Sequence, residues 1–285
     1  MRIRSMFAAA AGLVVLVGCD REVEPTETVL QESAVVRYVN AVGDTSGLDF
    51  RFVDGSIEGS PQYSNVPFRT FTAYQRVRAG TRQIKIFTSP VPYANNIAVA
   101  TQQHLDTTFT FEPNARYTII SYGFARATSS PRHRLVIIRD ELPTLTATQV
   151  GTRVINAAPS VGNVDVYVQN SEAAAGVTGA PTVANVAPLG ISAYLNLAPR
   201  PVGTLLYRFD LTAPGSTTAL TVNPNSGLPG QVGTTLINPL AGFQVGRSVI
   251  TAIVFGPSVT GSTAAPFTAA GFRFLPDKHL DVTEQ

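Results

Sequence analysis

Few residues of this chain are of a type and spacing suited to chemistry. The chain has one cysteine, Cys19, and three histidines, His104, His133 and His279, which lie far apart in the sequence. It contains no glycine-rich phosphate loop, no Gly-x-Ser-x-Gly elbow and no paired-cysteine or His-Glu-x-x-His metal motif. These absences predict a non-enzymatic protein with no catalytic residue, no metal and no cofactor. A Ser-His-Asp triad is defined by geometry and not by sequence order, so a cryptic hydrolase stays open; it would need a histidine beside a serine or a carboxylate in one cleft.

Cys19 ends a segment with the parts of a secretory signal, namely Arg2 and Arg4 followed by an apolar run over residues 7–17. The run is too short to cross a bilayer, which needs roughly 20 apolar residues. The ending Leu16-Val17-Gly18-Cys19 resembles the lipobox of bacterial lipoproteins, in which the cysteine is lipidated on sulfur and becomes the new N-terminus. The resemblance implies lipidation of Cys19 and anchoring to the inner or outer membrane of a bacterial cell envelope, facing the periplasm or the surface. The alternatives are an ordinary signal peptide and a buried structural thiol.

Residues 20–32, with the sequence DREVEPTETVLQE, are acidic and offer little to bury. Such a segment cannot offset the entropy of ordering, so it is predicted to be a flexible tether. The chain as a whole is 44% hydrophobic and 14% charged and is rich in Gly and Pro, which favours strands and turns over helices. Because the formal charge is +2 and Arg2 and Arg4 lie in the signal, the mature chain is neutral, which argues against a nucleic-acid partner.

The sequence repeats itself after the tether. Four residues recur at a constant offset, with Arg37, Asn40, Ala41 and Asp49 matching Arg153, Asn156, Ala157 and Asp165. Farther along, Tyr74 matches Tyr194, and residues 117–123 match residues 250–256. We therefore predict a signal peptide over residues 1–19, the tether over 20–32, and two copies of one domain over 33–145 and 146–285.

Short alternating runs define the fold class. Leu48, Phe50 and Phe52 share one face of a predicted strand, and Ile84 and Ile86 share a face of another. Turn residues separate these runs at short, regular spacing. The pattern is typical of an all-β chain, and we predict two tandem immunoglobulin-like antiparallel β-sandwich domains after the signal peptide and tether. The cysteine pair and the tryptophan of antibody domains are both absent from the sequence, so apolar packing must hold each core.

The opening of each repeat also resembles a known family. Residues 37–55, with the strand Leu-Asp-Phe-Arg-Phe-Val-Asp-Gly, and residues 153–168, with Ala-Ala-Pro and Val-Asp-Val-Tyr-Val, resemble the bacterial domain-of-unknown-function family 4397. The resemblance extends over most of residues 33–275. Members often carry His where this chain has Asn40 and Asn156. The resemblance implies a fold and an envelope location, and the family's activity is not known.

Two pairs of polar residues recur in both copies. Asp49 and Asp165 are interpreted as strand carboxylates that pair with an arginine such as Arg37 or Arg153; the alternative is a calcium or polar-ligand site with Asp44 and Thr45. Asn40 and Asn156 are interpreted as turn formers whose side chains bond to nearby backbone.

A basic and aromatic segment of the first copy is the candidate ligand surface. It comprises Arg69, Phe71, Tyr74, Arg76 and Arg78, a combination suited to an anionic polysaccharide or to lipid headgroups, although such arginines also form ordinary solvated sheet faces. Convergence of these residues on one exposed face would favour binding, and scatter would favour a structural role.

Three functional hypotheses follow from the sequence. The first is an envelope lipoprotein that acts as a non-enzymatic interaction module for a glycan or protein partner. The second is a passive structural spacer or scaffold of the envelope, and the third is the cryptic hydrolase.

Overall fold

The computed structural model describes residues 31–54, 61–89, 102–172, 176–223 and 225–278. The predicted signal peptide, the lipidation site Cys19, nearly all of the tether and His279 lie outside these residues. The described residues form strands, turns and loops with no helix, and therefore none that could span a membrane. This confirms the prediction of an all-β chain.

The described residues of the first repeat form nine strands. They are β1 (Ser33–Val42), β2 (Leu48–Phe52), β3 (Tyr63–Val66), β4 (Thr70–Phe71), β5 (Gln75–Arg78), β6 (Gly80–Thr88), β7 (Gln102–Phe111), β8 (Arg116–Gly123) and β9 (Arg134–Arg139). The outer sheet of this sandwich has the order β3-β2-β6-β7. The inner sheet has the order β4-β1-β8-β9, with β5 also paired to β1.

The described residues of the second repeat form eight strands. They are β10 (Val150–Asn156), β11 (Val164–Asn170), β12 (Val183–Val186), β13 (Leu195–Leu197), β14 (Tyr207–Thr212), β15 (Ala219–Asn223), β16 (Val249–Phe255) and β17 (Gly271–Pro276). Its outer sheet is β12-β11-β14-β15 and its inner sheet is β13-β10-β16-β17. The outer sheets have equivalent strand orders, whereas the inner sheet has five strands in the first repeat and four in the second.

The inner sheets are mixed and not purely antiparallel. β1 pairs with β8 in parallel, with Arg37 opposite Thr118, and β10 pairs with β16 in parallel, with Arg153 opposite Thr251. The other strand pairs are antiparallel. The two parallel pairs join the first and a late strand of each copy, an arrangement that a long crossover permits and a hairpin does not.

Each sandwich has its own apolar core between its two sheets. Leu48, Phe50 and Phe52 face the first core together with Ile84 and Ile86, as their alternation predicts. In the second core, Phe209 packs against Phe243 and Phe274.

A third apolar cluster joins the two sandwiches. Val39, Ala41, Ile120 and Tyr122 on the first inner sheet meet Ile155, Ala157, Ile253 and Phe255, their repeat equivalents on the second. The molecule is therefore four sheets deep, with the two inner sheets face to face. Residues Glu32–Gln285 form one compact unit. The division into domains at residues 145 and 146 stays a prediction.

Candidate functional site

A closed ring of polar side chains lies between the inner sheets. Arg37 Nη2 of the first sandwich donates to Asp277 Oδ1 of the second at 2.5 Å, and Arg153 Nη2 of the second donates to Asp140 Oδ1 of the first. Thr118 Oγ1 joins Arg37 Nε, at 2.9 Å, to Asp140 Oδ2, at 2.7 Å. Thr251 Oγ1 makes the equivalent link from Arg153 to Asp277, at 2.9 and 2.6 Å. The two halves exchange equivalent contacts, so the ring has pseudo-two-fold symmetry.

The matched tyrosines complete this polar ring. Tyr74 donates to Asp140 at 2.8 Å and lies under the guanidinium of Arg37, while Tyr194 contacts Asp277 at 3.4 Å and lies under that of Arg153. Burial disfavours the charge on Arg37, but the charges of Asp277, Tyr74 and Asp140 outweigh it, so the pKa of Arg37 is raised. The ring is thus a structural lock in which every buried charge has a partner.

The interpretation that Arg37 pairs with Asp49 is wrong. Arg37 is on the inner sheet and Asp49 on the outer sheet, where Asp49 contacts Arg51 at 3.0 Å and accepts Asn65 N–H at 2.8 Å. Asp165 likewise accepts Asn185 N–H at 2.6 Å. Each asparagine has a positive φ beside a break in strand register, so both aspartates hold a β-bulge in place.

The recurrent asparagines Asn40 and Asn156 stabilise turns, as interpreted from the sequence. Asn40 Oδ1 accepts Val42 N–H, and its Nδ2 donates to Val66 O, both at 2.9 Å. Asn156 makes the equivalent bonds to Ala158 N–H and Val186 O, at 3.1 and 3.0 Å. Their amides are occupied by the backbone of their own sandwich.

The predicted arginine and aromatic surface does not form one exposed face. Arg69 is 7% exposed and donates to the carbonyls of Gly256 and Ala269 in the second sandwich, with Phe267 under its guanidinium at 4.3 Å. Burial, and to a lesser extent Arg273, lowers its pKa to about 10. Arg69 therefore joins the two sandwiches and is not available to a ligand.

The other four residues divide into two groups. Phe71 and Tyr74 are half-buried and line a cavity of about 310 Å³, opposite Leu228 and Leu240 of the second sandwich. Arg76 and Arg78 are exposed on β5. Arg78 pairs with Asp54 at 3.2 Å, and Arg76 lies 3.5 Å from the Ser33 hydroxyl. This scatter does not support an anion-binding patch.

A polar groove lies at the opposite end of the molecule, beyond the last residue of β1. It consists of two cavities of about 370 and 610 Å³ that share Thr45 and Thr263, one residue from each sandwich. Polar side chains of the first sandwich line it, namely Asp44, Ser46, Asn65, Thr88, Ser89, Gln102, His104 and Arg126, and the second sandwich adds Thr263, Ala264 and Ala265. The volumes fall within the range of small-ligand sites.

Hydrogen bonds connect the loops that line the groove and fix their positions. Asp44 accepts the N–H groups of Ala125 and Arg126 at 2.8 and 2.9 Å, so both carboxylate oxygens are occupied. Arg126 Nη2 reaches Gly261 O in the second sandwich at 3.2 Å, and His104 Nε2 bonds Thr88 Oγ1 at 2.6 Å. The described residues contain no group of three His, Cys, Asp or Glu suited to a metal, so the calcium alternative gains no support.

One family model matches the first sandwich. Residues 34–167 match the family model described as Domain of unknown function (DUF4397). The match covers the whole first sandwich and extends into β11, so the resemblance stated for the second copy rests on the repeat.

Comparisons beyond the DUF4397 match add little. None of the curated proteins matches the chain. Two similar crystal structures are those of a putative adhesin and a putative cell adhesion protein. The first, an adhesin from Bacteroides ovatus, is 10% identical, with 83% of this chain and 95% of that chain covered and a TM-score of 0.27. The second, a cell adhesion protein from Parabacteroides distasonis, is 8% identical, with 87% and 100% covered and a TM-score of 0.19. We draw no conclusion from likeness at these TM-scores.

Two histidines of the DUF4397 segment, separate in sequence, lie together in the structure. The rings of His104 and His133 are 5.7 Å apart, and His133 Nε2 lies 3.1 Å from Ser121 Oγ. Ser121, however, is fully buried in the core and also bonds the Tyr38 hydroxyl at 2.6 Å. His133 Nδ1, where a triad requires a carboxylate, has no hydrogen-bond partner among the described residues. This pair lacks the access and the oriented base of a hydrolase.

Proposed function

We propose that this protein is a lipid-anchored envelope protein whose two locked sandwiches act as a non-enzymatic interaction module for a glycan or protein partner. The observation that carries the binding role is the polar groove between the sandwiches. It lies beyond the C-terminal end of β1, while the tether enters at the N-terminal end, about 33 Å away along a ten-residue strand. The groove and the entry point of the tether therefore lie at opposite ends of β1.

The groove lining favours a hydroxyl-rich ligand, and a glycan is the partner that fits it best. Hydroxyl, amide and imidazole groups at Thr263, Gln102 and His104 can donate and accept hydrogen bonds to sugar hydroxyls. One acid and one base, Asp44 and Arg126, balance each other in charge. The groove therefore has no excess charge to select an anionic polymer.

Replacing Gln102 by alanine should weaken glycan binding about tenfold, because the cost of losing one or two hydrogen bonds is about 1.5 kcal/mol. Gln103→Ala is the matched control, since Gln103 is also exposed but does not line the groove. Calorimetric titration with a panel of defined neutral oligosaccharides would measure the affinities. Equal affinities in the two variants would contradict binding in the groove.

A passive spacer is the second candidate, favoured by the scatter of the predicted surface and the rigid lock between the sandwiches. A wild-type protein that binds no oligosaccharide of the panel would replace the first proposal with this one.

A further inference from the structure

Large apolar side chains are exposed on two neighbouring loops of the second sandwich. Residues 231–240 form a small hairpin, closed by two bonds between Gln231 and Leu240 at 2.9 Å. Thr234 N–H donates to Ile237 O at 2.8 Å and fixes the turn, so that Leu236 projects from the tip and is 92% exposed. Val232, Ile237 and Leu240 on the same hairpin are about half exposed.

The second loop lies beside the base of this hairpin and adds to its apolar surface. Arg200 N–H donates to Phe243 O at 2.7 Å, and Gln244 Nε2 donates to Pro201 O at 3.1 Å. On this loop Val202 and Leu205 are 77% and 50% exposed. Phe243 itself is buried in the second core, so both loops are fixed to the sandwich.

The hairpin is also rooted in a close backbone contact. A Cβ on Gly242 would lie 2.1 Å from Gly230 N, so only glycine fits where the two arms meet. A rigid loop with an apolar tip does not lose entropy on insertion as a flexible one would. The fold therefore holds Leu236 in its exposed position.

Residues 211–246, which include the hairpin, contain no charged residue. The apolar centre of a protein interface is normally surrounded by a rim that carries charged as well as polar groups, and this segment supplies no charged group. An uncharged apolar tip has no charge to desolvate on entering a lipid interface, where each charge is costly. The composition therefore favours lipid as the occupant.

The hairpin lies beside the half of β1 that the tether enters. Leu240 lines the same cavity as Arg37, which is four residues into β1 from Ser33. Thirteen residues, 20–32, lie between Cys19 and Ser33, and the contour length of this stretch is about 50 Å at most. A membrane that holds Cys19 would therefore be within reach of this end.

We propose that the hairpin of residues 231–240 inserts the Leu236 tip into the membrane interface to which the chain is tethered. The inference depends on the proposed function in one respect only, namely that the anchor at Cys19 keeps the membrane near the hairpin. Tip insertion adds a second contact to the lipid on Cys19 and orients the body with its polar groove outward.

The chain has no tryptophan, so Leu236→Trp introduces a single indole as a reporter of insertion. The chain from Cys19 onward is coupled through its only thiol to a maleimide lipid in phosphatidylethanolamine and phosphatidylglycerol vesicles, which makes the test independent of natural lipidation. We expect the emission to shift to shorter wavelength on coupling, and brominated acyl chains to quench it at least twofold. Val222→Trp is the control, because Val222 is 52% exposed on the outer-sheet strand β15 and is not part of the hairpin.

An indole at position 236 whose emission neither shifts nor is quenched on the vesicles would overturn the insertion. Equal quenching at positions 236 and 222 would overturn it as well, since that result would mean general adsorption. Neither outcome bears on whether Cys19 is lipidated in the cell, which is measured separately by mass.

Discussion

Replacing Asp140 by alanine is expected to lower the free energy of unfolding by about 3–5 kcal/mol, the usual cost of breaking a buried ion pair. Arg153 would keep its charge between the inner sheets with only Thr251 as a polar partner on its Nε. Thr118 and Tyr74 would lose their acceptor in the same step. Urea unfolding followed by circular dichroism would measure the change.

Because the ring has pseudo-two-fold symmetry, the same prediction applies to the equivalent aspartate of the second sandwich. Asp277→Ala removes the equivalent partner from Arg37, so its loss of stability should be similar. Glu112→Ala is the matched control, because Glu112 pairs with Arg139, next to Asp140 in the chain, in an exposed ion pair of little worth. An Asp140→Ala loss no larger than that of Glu112→Ala would contradict the lock.

Acidification below pH 6.5 is expected to destabilise the protein through His133. Burial, with the nearby His104, lowers the pKa of His133 in the folded state to about 3, against 6.5 when exposed. Between these values the unfolded chain binds one more proton than the folded chain, so stability falls as the pH falls. The slope is about 1.4 kcal/mol per pH unit, and the full loss is about 5 kcal/mol near pH 3.

Urea unfolding of the wild type and of His133→Asn over pH 3–8 would test this effect. The variant lacks the titrating imidazole. The unfolding free energy of the wild type minus that of the variant should therefore decrease as the pH is lowered below 6.5, and it should stay constant above pH 6.5. The matched variant His104→Gln retains His133 and removes its like-charged neighbour, so most of the slope should remain. A constant difference between wild type and His133→Asn throughout would contradict the buried, neutral state of His133.

The sandwich fold could be predicted from local sequence because alternation is a local property. Leu48, Phe50 and Phe52 alternate with polar positions, and the structure places all three in the first core. The parallel pairing of β1 with β8 has no such signal, since it joins strands separated by most of the repeat. Alternation in the sequence shows which face of a strand is buried, but it does not show which strand is its neighbour in the sheet.

The lock between the sandwiches could not be read from the repeat offset. Arg37 and Arg153 are 116 residues apart, but Asp140 and Asp277 are 137 apart, because the second copy has longer loops. A usable signal did exist, since each aspartate directly follows the last strand of its copy. Each aspartate pairs with the arginine of the other sandwich because of the way the inner sheets pack. The sequence of a single repeat does not encode this packing.

The polar groove was found only in part from the sequence. The sequence offers Asp44 and Thr45 as members of a polar-ligand site, and both line the groove. His104 and Thr263 come from segments distant in the chain, so only the fold brings them together. Arg69 drew attention by type, yet its side chain belongs to the interface.

The most direct test of the account is the intact mass and membrane fractionation of the native protein beside Cys19→Ser. The account predicts a wild-type chain that begins at Cys19, carries a lipid-sized mass increment and fractionates with membranes, because two or more acyl chains give stable anchoring. The variant should lack the increment and leave the membrane fraction. An unmodified, soluble wild-type chain would contradict the envelope anchor.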